Sequence, residues 1–371
     1  CDENGFAQTK DMPYGVYTVH QTVGWDGTEF IADFDVNISE SGQTYRYLIN
    51  NAEFESYIKI VKVDSESGNV IPYEGAGFEI YDSNGQKISM TFAYPTPTTI
   101  DTFYTNSEGY LITPKVLPYG EYSLVEVQAP YGYALDKTPV AFSVSLENAE
   151  KENSLTIVKV EKQNTAQKGK ISVRKTGDIF TSVTTASSAY TNENGEMIVN
   201  PTTYTPVFAN GDLSDAVFQV IAVEDIVTLD GTTRAYAGDV VSEITTDENG
   251  YAETEPLYLG KYEVREIKAP YGYVLNNEPK DVELTYAGQE FEVRDTVNTA
   301  FENEYQGVRI SLSKVMENDK LFGIYGKDNY TSIRFGLFAS ENITAADGTV
   351  IPADGLISEV SLDEDGFVNI T

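Results

Sequence analysis

One cysteine, one histidine and one tryptophan are all that 371 residues contain of those types. The lone Cys1 excludes an internal disulfide framework and metal sites built from cysteines. The lone His20 leaves no histidine set for a metal or for histidine-based acid–base work. Positive charge is scarce as well: 25 Lys+Arg stand against 58 Asp+Glu, a formal net charge of −33. That balance argues against nucleic acid and against anionic membrane surfaces as partners. No apolar run is long enough for a membrane-spanning helix, so no membrane insertion is expected in this segment, and no signal-peptide pattern is present. Long helical periodicity is missing too. What is plentiful is Thr, Tyr, Val and Gly, which predicts an all-β chain, and the length predicts two or more domains.

Internal repeats carry most of the information. Residues 122–135 read YSLVEVQAPYGYAL and residues 262–275 read YEVREIKAPYGYVL. In each, an alternating strand places a carboxylate in its apolar row, Glu126 with Tyr122 and Leu124, Glu266 with Tyr262 and Val264. A turn comes next, with Pro fixing one dihedral and Gly permitting another. Hairpin signals recur as DENG at 2–5, NSEG at 106–109, DENG at 247–250 and DEDG at 363–366. Ahead of three of them lie equivalent strands, GFEIYDSNG, VFQVIAVED and RFGLFASEN. Ahead of those lie strands with a lysine: IKIVKVD (58–64), ISVRKTG (171–177) and ISLSKVM (310–316). Lys62, Lys175 and Lys314 each take the next place on the apolar face. Each of these lysines stands 11 residues after an asparagine, Asn51, Asn164 and Asn303. The step of 16 residues that leads from Gly250 to Glu266 leads from Gly5 to Gln21, so the first copy carries an amide where the others carry an acid.

These anchors predict four units. Residues 1–53 are the C-terminal part of one domain, 54–166 and 167–305 are complete domains, and 306–371 is the N-terminal part of another. The second complete domain carries an insertion near 178–215, rich in Thr, Ser, Tyr and Asn, expected as a protruding hairpin or loop. Half a set of strands cannot bury a core, so the chain reads as a window on a longer array. Pairing of the two half-units between chains fits less well, because both supply the strand after the DENG-type turn.

Each complete domain therefore holds a Lys, a Glu and an Asn on apolar strand faces: Lys62, Glu126, Asn164 and Lys175, Glu266, Asn303. Buried singly, such groups would cost several kcal/mol apiece, so they need each other. One resolution is a buried salt bridge with an amide attached. The other is covalent: a desolvated lysine becomes a neutral nucleophile, and a desolvated glutamate shuttles protons. The amine then attacks the Asn side-chain carbon and releases ammonia, leaving an isopeptide bond. The competing readings are solvent-facing edge lysines, and calcium at the acidic turns, which hairpin chemistry already explains. No metal and no cofactor are expected. His20 and Trp25 read as packing or surface residues.

A strand-one Lys, a GA-x-F strand (Gly75, Ala76, Phe78), a Gly turn and then Tyr-x-x-x-Glu-x-x-Ala-Pro-x-Gly-Tyr resemble the collagen-adhesin B-type (CnaB) domain of Gram-positive surface proteins and pilins. The resemblance implies tandem Ig-like or transthyretin-like β-sandwich domains with intramolecular Lys–Asn isopeptide bonds. By position it makes Lys62 and Lys175 the amines, Asn164 and Asn303 the acceptors, and Glu126 and Glu266 the catalytic acids. Asn51 and Lys314 are then unpaired half-domain positions. Gln21 departs from the pattern, as does the missing Ala-Pro-x-Gly-Tyr turn in 1–53. The function implied is a structural stalk segment of a cell-wall-linked surface adhesin or fibre, extracellular, with neighbouring domains of the same chain or fibre as partners. It is no enzyme beyond a single self-cross-linking turnover. The alternatives are a module binding host glycan or matrix protein, and a subunit of a sortase-assembled pilus. For the last, neither an LPxTG-like signal nor a Tyr-Pro-Lys motif is present.

Overall fold

Alternating apolar and polar residues bounded by Gly- and Asp-rich turns give strands almost throughout the computed structural model, which describes residues 1–315, 321 and 327–370. Met316, the end of the third lysine strand, and part of the 306–371 unit lie outside the described residues. A 3₁₀ turn at Lys327–Ser332 is the one helical element among them. The chain divides into two compact units. The first comprises Cys1–Lys168 with the excursions Val227–Arg234 and Thr285–Arg294; the second comprises Gly169–Ile226, Ala235–Leu284 and Asp295–Thr371.

In the first unit two sheets face each other. One runs Val140–Val144, Gly120–Gln128, Gly77–Asp82, Phe103–Tyr104; the other runs Ala149–Glu152, Leu155–Asn164, Glu55–Asp64, Tyr110–Ile112. Their inner faces supply Ile58, Ile60, Phe78, Ile80, Leu124, Val158 and Val160 to one core. Every second residue of the Lys62 strand, from Ser56 to Asp64, is fully buried, as the period of two requires. The lysine sits in that row. The Lys62 and Asn164 strands are parallel neighbours, with Lys162 opposite Lys62 and Asn164 opposite Asp64. A parallel pair needs a long crossover between its members; in this unit the rest of the sandwich is that crossover.

The second unit repeats the plan. Val240–Thr245, Val217–Ala222, Gly260–Lys268 and Lys280–Leu284 form one sheet. The long strand Ile171–Ala186, which carries Lys175, pairs in parallel with Val297–Asn303 in the other, placing Asn303 opposite Gly177. In both units the asparagine faces the residue two places after the lysine. Ile171, Val173, Phe218, Val220, Val264 and Phe301 make the core.

The insertion is two arms and a tip. Its arms extend the sheet, pairing from Thr176↔Asp212 to Ala186↔Thr203. A small hairpin, Ala189–Thr191 with Met197–Val199, ends it. The second arm meets Leu356–Ser361 through Thr203↔Leu356, and Ala346 N–H donates to Phe180 O at 3.0 Å. In the flanking segments, Gly15–Val19 pairs with Phe34–Ile38 and Ile310–Ser313 with Phe367–Ile370.

Two glycines show why the turns sit at fixed distances from the lysines. Gly109 and Gly250 have φ of +81° and +66°, and an added Cβ would lie 2.0 Å from Ile71 O and 2.4 Å from Lys175 O. That closeness lets Gly109 O accept from Lys62 N–H (2.9 Å) and Gly250 O from Lys175 N–H (2.7 Å). Gly366 O takes Lys314 N–H in the same way, at 2.8 Å.

Candidate functional site

Glu126 and Glu266 come from the sheet facing the lysines. Each pairs across its strand with a core phenylalanine, Glu126↔Phe78 and Glu266↔Phe218, and each adjoins a register shift. A bulge of this kind bends the strand and re-aims the chain beyond it. Here that chain is the Ala-Pro-Tyr-Gly-Tyr turn, which folds back over the asparagine strand. In the first unit Ala134 N–H donates to Thr165 O (3.0 Å) and Gln167 N–H to Gly132 O (2.8 Å). In the second, Val274 N–H donates to Glu304 O (2.8 Å) and Gln306 N–H to Gly272 O (2.7 Å). The repeated turn is thus a clip that fastens the backbone just beyond Asn164 and Asn303.

The three predicted groups meet in each complete unit. Lys62 Nζ lies 2.8 Å from Glu126 Oε1, both side chains wholly shielded from solvent. The approach is oblique, and neither atom has a hydrogen-bond partner; nor does Asn164 Oδ1. Asn164 Nδ2 donates to Glu126 Oε2 (2.7 Å) and to Ala134 O (2.6 Å). In the second unit Lys175 Nζ lies 3.4 Å from Glu266 Oε1, again fully shielded. It also donates to Asn303 Oδ1, while Asn303 Nδ2 donates to Glu266 Oε1 at 2.8 Å. Aromatic rings line both amines: Phe78 is 5.7 Å from Lys62 Nζ, and Phe218 and Phe301 are each 5.9 Å from Lys175 Nζ.

Burial dominates the amines' chemistry. Loss of hydration pulls Lys62 down to about 8, against the opposing pull of the Glu126 carboxylate. Lys175 is lowered by the same cause, with Glu266 and Glu302 opposing. Each site therefore presents an amine that gives up its proton more readily than an ordinary lysine, and a carboxyl touching both amine and amide; in the second site the amine also reaches the amide directly.

The flanking segments keep only parts of this. Asn51 Nδ2 donates to Gln21 Oε1 at 2.9 Å and to Glu29 O at 2.5 Å, so an amide–amide contact stands where the complete units have acid–amide. Lys314 is exposed just beyond its short strand. His20 pairs with Asp33 on the surface, and Trp25 is exposed.

Three features of the site were not drawn from the sequence. First, the tyrosine four residues before each acid, and before Gln21, donates to a carbonyl four residues earlier: Tyr122 to Pro118 O (2.9 Å), Tyr262 to Tyr258 O (2.6 Å), and Tyr17 to Pro13 O (2.9 Å). The recurring Tyr-x-x-x-acid spacing was the available signal. Second, the backbone N–H ten residues after each acid, and after Gln21, donates to its side chain: Asp136 to Glu126 Oε2 (3.1 Å), Asn276 to Glu266 Oε2 (2.8 Å), and Ile31 to Gln21 Oε1 (3.1 Å). Third, a second lysine, Lys162, is buried beside the first site.

Comparison with known proteins places these observations. A family model described as SpaA, prealbumin-like fold domain, matches residues 56–160 and 208–299, more than half of the chain. Over 84 residues the chain is 30% identical to the trypsin-resistant surface T6 protein of Streptococcus pyogenes serotype M6. That overlap is 23% of this chain and 14% of that protein, so the chain spans a small part of the relative's length. Among solved structures, the Bacillus anthracis TIE protein is 22% identical, with 81% of this chain and 44% of that one covered, at a TM-score of 0.40. BcpA, the major pilin subunit of Bacillus cereus, is 16% identical, with 68% and 100% covered, at a TM-score of 0.23.

Proposed function

The chain belongs to the SpaA prealbumin-like fold domain family, and on that premise we propose that it is a stalk segment of a Gram-positive surface protein or pilus-like fibre, braced by self-formed Lys–Asn isopeptide bonds of the CnaB type. One observation carries the reading: the same solvent-free Lys–Glu–Asn set occurs twice, in one register, across adjacent parallel strands at the two ends of 54–166 and of 167–305. Those ranges are the domains of this proposal, with 1–53 and 306–371 as parts of neighbours in the longer array.

The step is balanced within the three residues. Neutral Lys62 Nζ attacks Asn164 Cγ, and the new N–C bond forms as the Cγ–Nδ2 bond breaks. Glu126 takes the proton shed by Nζ and delivers it to Nδ2, which leaves as ammonia. Glu126 ends as it began. Lys175, Glu266 and Asn303 repeat the step.

Each bond closes a loop of about 100–130 residues, worth about 4–5 kcal/mol by loss of unfolded-state entropy. Tension entering the Lys62 strand crosses the bond and leaves after Asn164, so the sheet hydrogen bonds carry none of it. The named trypsin resistance of the T6 protein accords with such bracing. Intact mass tests the proposal: the full chain is expected to weigh two ammonia molecules less than its sequence, and Lys62→Ala to restore one. A mass equal to that of the unmodified sequence would sink it.

A second reading, attachment to host glycan or matrix protein, is favoured only at the insertion tip, where Tyr190, Met197 and Val199 are exposed. Loss of binding on deleting 189–199, in a screen against such ligands, is the result that would establish it.

A further inference from the structure

Lys162 is a buried lysine that the cross-link does not consume. It lies directly opposite Lys62 in the parallel pair, and its side chain is 2% exposed. Its ammonium donates to Asp136 Oδ2 (2.7 Å) and to Thr138 O (2.8 Å). Asp136 is also the residue whose backbone N–H holds Glu126 Oε2. The pair is therefore attached to the site twice, once through the strand beside Lys62 and once through the loop that caps Glu126.

The second unit supplies the comparison. Opposite Lys175 stands Phe301, and the residue whose N–H caps Glu266 is Asn276. The capping bond is kept while both charges are gone. A nearby lysine, Lys280, sits instead against the Phe301 ring, 5.0 Å from its centroid, donating to Ala300 O. The second site thus keeps a lysine that lowers Lys175, but brings it from beside the Phe301 ring and not from the strand position opposite.

We propose that Lys162, fixed by Asp136, is a positioning residue of the first site: an ammonium opposite Lys62 whose charge favours the neutral, reactive form of the nucleophile. This role rests on the cross-link reading above. Four groups face Lys62: Glu126 from the opposite sheet, Lys162 and Asn164 from the neighbouring strand, and Asp136 from the loop. Burial is the main cause of the lowered Lys62 value; Glu126 and Asp136 raise it, and Lys162 is the charge that lowers it further. For Asp136, burial acts to raise the carboxyl, but Lys162 and the Thr138 hydroxyl and N–H hold it down to about 2. It is thus an anion throughout the neutral range, and it balances Lys162 without cancelling its effect on Lys62.

The sign of two substitutions separates charge from mere packing. The full chain is made by cell-free synthesis, trapped in acid denaturant, and refolded into buffers from about pH 6 to pH 9. Formation of each bond is followed by ammonia loss in its own cross-linked peptide. Lys162→Met removes the cation and leaves the anion, so the pH midpoint for the Lys62–Asn164 bond should rise by about one unit, slowing the reaction about tenfold near neutrality. Asp136→Asn removes the anion and leaves the cation, so the midpoint should fall. Lys162→Arg should restore the parent profile, and the Lys175–Asn303 bond in the same molecules should keep its own profile throughout. Midpoints that move the same way in both variants, or stay put while the parent forms its bond, overturn the role. If Lys162→Met fails to fold, seen as rapid proteolysis within 54–166, the direction of the Asp136→Asn shift decides alone. Absence of ammonia loss at Lys62 in the parent overturns the cross-link itself, and the positioning role with it.

Discussion

At the scale of single residues, the proposed cross-link makes the first site a nucleophile prepared by desolvation. An amine lowered to about 8 is mostly protonated at neutral pH, so bond formation should accelerate as pH rises toward and through that value. The same shift has a consequence for stability when the bond cannot form. In Asn164→Ala, the folded state binds fewer protons at Lys62 than the unfolded state between about 8 and the ordinary lysine value of 10.5. Unfolding free energy therefore rises with pH across that window. The gain is complete above it and lost as pH falls to about 8. Denaturant titrations of the variant across this range check the sign; a flat or falling profile contradicts it. Glu126→Gln is expected to leave the first bond unformed, since an amide does not relay a proton, and the chain should keep one extra ammonia in its intact mass. The structure already contains that substitution in outline, in the contact of Gln21 with Asn51. Lys62, Glu126 and Asn164 were legible because period two put each in an apolar row and the rows repeated. Lys162 obeyed the same rule, standing in the row of Val158 and Val160, yet it lacked a repeated partner: its counterpart is Phe301. A single lysine in a strand reads as an edge residue until its neighbours are known.

At the scale of elements, the strands and turns were legible and the contacts between loops were not. Alternation, the Asp-and-Gly turns and the 11-residue Asn–Lys spacing are local signals. The N–H ten residues beyond each acid reaches it through an irregular loop, so no periodicity announces it. In 1–53 the cradle survives without the Ala-Pro-Tyr-Gly-Tyr turn: Ile31 N–H and Glu29 O hold Gln21 and Asn51 as Asp136 N–H and Ala134 O hold Glu126 and Asn164. Chain geometry, more than the residues of the turn, sets those contacts. Two substitutions test the scaffold around the first site. Gly109→Ala forces a Cβ against Ile71 O at a left-handed φ and should cost at least about 2 kcal/mol. Tyr122→Phe removes only the hydroxyl bonded to Pro118 O and should cost about 1 kcal/mol. Both are measured by denaturant unfolding of the Lys62→Ala background, where no first bond braces the unit. Equal costs for the two would contradict the close approach at Gly109.

At the scale of the molecule, the all-β tandem architecture follows from composition and repeats, and the family match agrees with it. The insertion is more integrated than a Thr- and Ser-rich loop suggests, because its arms carry a sheet register of their own that only pairing reveals. Deleting the tip 189–199 should therefore leave both ammonia losses intact, as intact mass will report. In the proposed fibre, the parallel placement of first and last strands has one more effect. A peptide bond cut anywhere between Lys62 and Asn164 would leave both pieces attached, since each stays joined through the side-chain link. Continuity of the stalk would then no longer depend on continuity of its backbone, and a domain nicked by a host protease would remain a single covalent object under load.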